Sequence, residues 1–296
     1  MPAAPPIGPI DAQIMGLDSK QFLSKLQSDL ASGKIEIAGF PDSVLKLLRE
    51  MRDEFVSNSK LERIVREDAA LSARIVSMAN SAAFQSSAGP TTEAGSAIAR
   101  IGLAALRTVV LAYGFSRLRD VKVYKLVQGR MGDIWLHSLA IATIGRALLG
   151  ITQSRAVDRD ALILGGMLSG VGKIYLLAEI SHHEEKLNDF AAVEHMLETW
   201  HAKITRTLLK NWEFPESVIR AATTIDTARS PSANNQVADI LYVADMFSRM
   251  RTEVEELTRR LQVSSPAMRL GVSAIDPQKV YTLAAEEAAS ISQALS

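Results

Sequence analysis

The chain contains no cysteine among its 296 residues. That excludes disulfides and thiolate metal sites, and makes a reducing, cytoplasmic setting the expectation. It also lacks net charge: 33 Lys and Arg balance 33 Asp and Glu. A dedicated nucleic-acid binder carries a basic excess to attract phosphate, so nucleic acid is not an expected partner. Aromatic residues are only 5% of the chain, and a base-stacking surface needs more of them beside its basic residues. Uninterrupted apolar runs stay short of the roughly 18 residues of a membrane span. His137 and Arg146 break one candidate and Lys173 the other. Met1 to Pro6 has neither a basic segment nor an apolar run, so no signal peptide is expected there.

What is present is apolar and periodic. Hydrophobic residues make up 47% of the sequence, enough to bury a substantial core. Alternation of period two is absent over any strand-length stretch, and the spacing throughout is that of helices. Val44, Leu45, Leu48 and Met51 share a face behind Pro41, and Leu71, Ile75, Met78 and Ala79 share another. The expected class is therefore all-α. Residues 1–16 are Pro-rich and are expected to form a flexible leader. A division near Val123–Gly132 gives an N-terminal helical subdomain over 17–126 and a second over 127–296, within the size range of two compact units. Thr91 or Thr92 is the expected cap of the helix after the Gly89-Pro90 loop, and Asp133 the cap of a later one. Ala228–Asn235 reads as a loop, Ala233–Arg260 as one long helix, and Pro277–Ser296 as a terminal helix.

Several clusters invite a chemical reading. Gly165, Gly166, Gly170 and Gly172 crowd one apolar stretch, but no strand precedes them and no G-x-G-x-x-G pattern exists, so close helix approach is expected rather than a phosphate cradle. His182-His183-Glu184-Glu185 resembles a ligand set, yet neighbouring helical residues point about 100° apart and do not share a face. Glu194, Glu198 and His201 do align along a helix and read as a solvated stripe or a pocket edge. Arg100, Arg107, Arg117, Arg119, Lys122, Lys125 and Arg130 are opposed only by Asp120. Of these, Arg107, Arg117, Arg119 and Lys122 are the candidate interaction patch, which could meet an acidic partner, a nucleotide or nucleic acid, with a solvated basic face or a protein-contact patch as the default reading.

Longer segments carry a family likeness. Phe40-Pro41-Asp42-Ser43-Val44-Leu45-Lys46-Leu47-Leu48, the run from Asp68 to Phe84, and Ala97 to Arg107 each resemble segments of the HDOD family, the HD-related output domains of bacterial signalling. Trp135 to Ala142 is similar to the helix that bears the first histidine of HD hydrolases. His201-Ala202-Lys203, Trp212-Glu213-Phe214-Pro215 and Val243-Ala244-Asp245 continue the likeness, which spans roughly residues 20 to 250. The implied fold is a helical bundle followed by a degenerate HD-like core.

The departures from that pattern set the functional expectation. The resemblance implies a histidine, a His-Asp pair and a later aspartate. His137 and Asp245 match the outer two, but Ser169-Gly170 stand where the pair belongs, and Thr223-Thr224-Ile225 replace a further His pair. Hydrolytic sites need several such ligands to fix an ion and acidify its water. The resemblance therefore implies a non-enzymatic module with neither metal nor cofactor. It would act by protein–protein contact with a histidine kinase, a response regulator or a cyclic-di-GMP turnover protein on a separate polypeptide, and a homodimer is a further expected state. The alternative is a residual metal-dependent phosphohydrolase or a nucleotide-binding descendant. His137, Ser169 and Asp245 form the expected vestigial pocket, with a His–Asp bond between helices as its expected use. Ser169 as a nucleophile lacks the elbow pattern that would expose it.

Overall fold

Helix starts follow local side-chain chemistry in the computed structural model, which describes residues 17–295 apart from 34, 36, 54, 82–83, 85–88, 153–156, 183–189 and 226–235. The leader 1–16, the 228–235 loop, residues 85–88 of the Gln85–Thr92 loop and His183 to Glu185 therefore lie outside the described residues. Among the described residues every regular element is helical. The first half holds α1 (Leu17–Ser32), α2 (Asp42–Glu50), α3 (Asn58–Val65), α4 (Ala69–Ala79) and α5 (Ala94–Arg117). Then come α6 (Gln128–Thr152), α7 (Arg159–Leu168), α8 (Val171–Ile180), α9 (Phe190–Asn211) and α10 (Glu216–Thr223). The chain continues with α11 (Gln236–Arg249), α12 (Val254–Val263), α13 (Ser265–Arg269) and α14 (Pro277–Leu295). Ser57, Asp68, Asp158 and Ser264 cap α3, α4, α7 and α13 by accepting a backbone N–H from the first turn, the usual remedy for unpaired helix-start amides.

Three sequence expectations need correction. Asp133 caps nothing: α6 begins earlier and runs through it, because Gly129 and Gly132 are tolerated in its exposed first turns while Met131 is buried. Neither threonine caps α5 in the expected way. Glu93 occupies the cap position without a side-chain bond, and Asn80 secures the loop by exchanging two 2.8 Å hydrogen bonds with the backbone of Thr91. The long helix expected over Ala233–Arg260 is broken between Arg249 and Val254. The turn directs Leu257 and Leu261 back into the core, with both fully buried.

Helix α8 is buried on nearly all sides and lies centrally, as expected for a helix apolar around its whole circumference. One hydrophobic core runs from Leu26 to Ala222 and so crosses residue 126. A second gathers the C-terminal half of α6 with α11, α12 and α14. Helix α14 also lies against α4 and α5, far away in sequence. Asp68 ties α4 to its neighbours, accepting hydrogen bonds from Ser43 and Tyr113 besides its capping bond. Burial works to raise its pKa, but those hydrogen bonds outweigh it and hold the carboxyl below the usual carboxylate range.

Three stretches, Ala94–Arg117, Gln128–Thr152 and Arg159–Ile180, are long and apolar enough to cross a membrane by length and composition. Counting uninterrupted apolar residues missed them, because isolated polar residues break a run without changing its average. In this fold half or more of each apolar window is buried against other helices.

Glycines set the helix spacing around α7 and α8. A Cβ at Gly165 would lie 2.3 Å from Ala221 Cβ, at Gly166 2.9 Å from Ala142 Cα, and at Gly172 2.2 Å from the His201 carbonyl oxygen. Gly172 N–H also donates to Thr205 Oγ1 at 3.1 Å in a buried bond. Helix α5 bends at Gly102, whose φ of 76° is the left-handed region that side chains resist. Gly172→Ala is expected to destabilise the fold by about 2 kcal/mol or more through overpacking against backbone. Gly150→Ala, where nothing lies within 4 Å of the added Cβ, should be neutral or stabilising by up to about 1 kcal/mol. Urea unfolding of the two variants checks the contrast.

Candidate functional site: a polar cavity between α6, α8 and α11

Helix α6 projects His137, the α7–α8 junction supplies Ser169, Gly170 and Lys173, α9 contributes His201, and α11 contributes Asp245 and Arg249. All of them line one cavity of about 270 Å³. The three residues expected in the vestigial pocket, His137, Ser169 and Asp245, are thus brought together. His137 Nε2 lies 2.8 Å from Asp245 Oδ1, and Ser248 Oγ lies 2.8 Å from His137 Nδ1. Arg249, one turn beyond Asp245, donates from Nε to both carboxylate oxygens at 3.0 and 2.8 Å. Burial pushes the Asp245 carboxyl upward, but the bonds from His137 and Arg249 prevail and leave it below its ordinary range.

Ser169 is turned away from this network. Its hydroxyl donates to the Gly166 carbonyl at 2.7 Å and lies 3.5 Å from Ser138 Oγ. Neither of these partners is an imidazole that would activate it as a nucleophile. Gly170 faces α6 so closely that a Cβ would lie 2.5 Å from Ser138 Oγ and 2.6 Å from Ile134 Cγ2. The space for a carboxylate side chain at this position is filled by the neighbouring helix.

A divalent ion does not fit this donor set. Among the described residues, no three His, Cys, Asp or Glu side chains come together as ligands. Asp245, the carboxylate bonded to His137, already accepts from a histidine and a guanidinium, and a cation there would meet Arg249 as a like charge.

With this geometry described, the relatives become informative. The HDOD domain family profile matches residues 37–227. The chain belongs to the HDOD family. An uncharacterized protein of Treponema pallidum (strain Nichols) is 23% identical over 205 residues, covering 66% of this chain. The chain spans only 39% of the length of that curated relative. Solved structures share the fold. A proposed metal-dependent phosphohydrolase of Shewanella amazonensis SB2B superposes with a TM-score of 0.71 at 21% identity, over 94% of this chain and 99% of the other. An HDOD domain protein of unknown function from Geobacter sulfurreducens gives 0.57 at 18% identity, over 91% and 98%. A proposed signal transduction protein of Marinobacter aquaeolei VT8 gives 0.52 at 16% identity, over 95% and 68%.

The candidate interaction patch is not assembled as a free basic face. Arg107 is only 15% exposed and donates to Asp160 at 2.8 Å and to the Met51 carbonyl. It is an internal strut between α5, α7 and the end of α2. Arg117 pairs with Asp120 at 2.6 Å, Lys122 is exposed, and the Arg119 side chain lies outside the described residues. Arg100 donates to the carbonyls of Ala79 and Gly89, holding the end of α4. Of the aligned α9 residues, Glu194 pairs with Arg130 and Glu198 with Lys173, while His201 lines the cavity. His182 is exposed.

Sequence reasoning missed Arg249, Ser248 and Lys173. The first two had a legible signal, because Asp245, Ser248 and Arg249 stand at i, i+3 and i+4 and must share a helix face.

His137→Ala removes a hydrogen bond from a buried carboxylate and is expected to cost about 2 kcal/mol. Arg249→Gln costs less, about 1 kcal/mol, because the arginine is half exposed. The acid limb follows from the sign of the Asp245 shift. Its folded pKa is below that of an unfolded aspartate, about 3.9, so acidification protonates the unfolded chain first. The stabilisation is complete above that value and is lost as pH falls through the folded pKa. Asp245→Asn should flatten this limb in urea unfolding measured from about pH 6 to about pH 3.

Proposed function

We propose that this HDOD chain is a non-catalytic signalling module that works in a bacterial cytoplasm through contacts with other proteins. The expected partners are a histidine kinase, a response regulator or a cyclic-di-GMP turnover protein on a separate polypeptide, with self-association as a homodimer a further state. Family membership and a structural neighbour named for signal transduction support the signalling part. The observation that carries the non-catalytic part is the closure at Gly170: Ser138 and Ile134 stand where an aspartate ligand needs room. Arg249 supports it further, supplying beside Asp245 a fixed positive charge of the kind an ion would bring.

Elemental analysis of the purified protein is expected to give far less than one divalent metal per chain. Phosphomonoester and cyclic-dinucleotide substrates should turn over no faster with added Mn²⁺ or Fe²⁺ than without it. Stoichiometric metal, with activity lost in His137→Ala, would overturn the reading. Capture of partners from the native host, confirmed by direct binding of each purified candidate, tests the signalling part. Recovery of no kinase, regulator or cyclic-dinucleotide protein would count against it.

A second reading has one observation behind it. Lys173 and Arg249 line the same cavity as His137 and His201, and that set of nitrogen donors suits an anion such as a nucleotide phosphate better than it suits a metal. Titration with cyclic-di-GMP and with ATP, compared between the wild type and Lys173→Ala, tests it. Saturable binding weakened by the substitution supports the reading, and no binding excludes it for those nucleotides.

A further inference from the structure

A second cavity, of about 220 Å³, lies on the other side of α6 and has a different chemistry. Phe115, Met131, Trp135, Leu136 and Ile174 form apolar walls, and Arg74 brings the one charged group to a lining that contains no acid. Phe115 and Trp135 stack at 4.5 Å between centroids. Behind them Phe40 meets Phe115 edge-on at 5.4 Å and stacks on Trp212 at 5.1 Å. A wall backed by four interlocked rings is stiff and keeps its shape. The Arg74 guanidinium lies 5.8 Å from the centre of the Tyr113 ring, and Tyr113 is itself anchored to Asp68 by a 2.9 Å hydrogen bond. The cation is therefore held by the fold rather than left to sweep through solvent.

Gly132 leaves one side of the cavity open. It lies within α6 and lines the cavity, and a Cβ placed on it would meet nothing within 4 Å. A helix interior ordinarily favours alanine over glycine by about 1 kcal/mol. Here the glycine leaves the space open down to the helix backbone. Leu136, at 61% exposure, is a large apolar side chain left in solvent among the lining residues, where an apolar ligand would cover it.

We propose that this cavity binds a small monocarboxylate with an apolar, aromatic body, the ring set between Trp135, Met131 and Ile174 and the carboxylate directed to Arg74. The volume, equal to about seven waters, admits one ring and a short acidic arm. Apolar walls with a single polar anchor are the usual composition of small-molecule sites. The site is independent of the reading of the polar cavity, although the same two helices wall both. Ile134, His137 and Lys173 face the polar one, while Trp135, Leu136 and Ile174 face this one.

The probe is phenylacetate, with its uncharged analogue phenylacetamide, followed by ligand-observed NMR on the full chain. Phenylacetate is expected to bind saturably and phenylacetamide several-fold more weakly. Arg74→Gln should reduce the difference between the two ligands. Gly132→Leu fills the cavity from inside and should abolish binding while the protein melts at or above the wild-type temperature. No saturable phenylacetate signal up to about 10 mM would overturn the proposal. Unchanged binding in a folded Gly132→Leu variant, or equal binding of acid and amide by the wild type, would do the same. Should Gly132→Leu fail to fold, the acid–amide comparison in the wild type and in Arg74→Gln still decides.

Discussion

Backbone-to-backbone approach along α7 and α8 is the constraint on which the rest depends. Four glycines within eight residues allow α6, α9 and α10 to come closer than any side chain would permit. Protein interiors are packed to crystal-like density, so a helix that loses its Cβ atoms is met by its neighbours rather than leaving a void. Gly170 belongs to this set and also stands at the position where the family likeness calls for an aspartate. At that position the side chains of Ser138 and Ile134 pack against the glycine backbone.

Once that position is closed, the charge on Asp245 has to be answered locally. A buried carboxylate without a counter-charge is costly, and deleting one partner of a buried pair costs more than the pair contributes. Arg249 and His137 meet the need from α11 and α6, and Ser248 fixes the second imidazole nitrogen. His137 thereby joins α6 to two residues of α11, Asp245 and Ser248. A guanidinium differs from an ion in a decisive respect: it offers N–H donors but no open coordination position at which a water could be acidified. The observed bonds hold α6 and α11 together.

The sequence revealed the class of fold and the outer members of the site for physical reasons. Helical periodicity is a local property, and the faces at Val44, Leu48, Leu71 and Ile75 are buried as their spacing demands. His137 and Asp245 were legible through the segments that carry them, and the expected bond between them is present. What escaped was whatever depends on long-range partners. Arg107 reads as a surface cation until Asp160 and the Met51 carbonyl are placed beside it. Asn80 gives no sign in sequence that it will clamp Thr91. The break after Arg249 carries neither Gly nor Pro, and is imposed by the core that Leu257 and Leu261 must rejoin. Such features arise from tertiary contacts that override local propensity.

Under the proposed function, signalling without chemistry would have to act through shape, and the layout of the two cavities bears on how. Helices α6 and α8 are shared walls: along α6, Met131, Gly132, Trp135 and Leu136 line the apolar cavity, while Asp133, Ile134, His137 and Ser138 line the polar one. A packed core does not deform continuously, so pressure on such a wall shifts it between discrete arrangements or not at all. Whatever occupies one cavity can bias the other only by preferring one arrangement of α6, because a ligand with equal affinity for both states moves nothing. The link that His137 forms with Asp245 and Ser248 crosses from α6 to α11 and resists any sliding of α6 along its neighbour, while Arg249 braces Asp245 within α11. Its strength therefore sets how much differential affinity a ligand or partner must supply before α6 moves. A link of two partly exposed charge-assisted bonds, about 1 to 3 kcal/mol, is strong enough to hold the resting arrangement. It is also weak enough to be overcome by the coupling energies typical of regulated proteins.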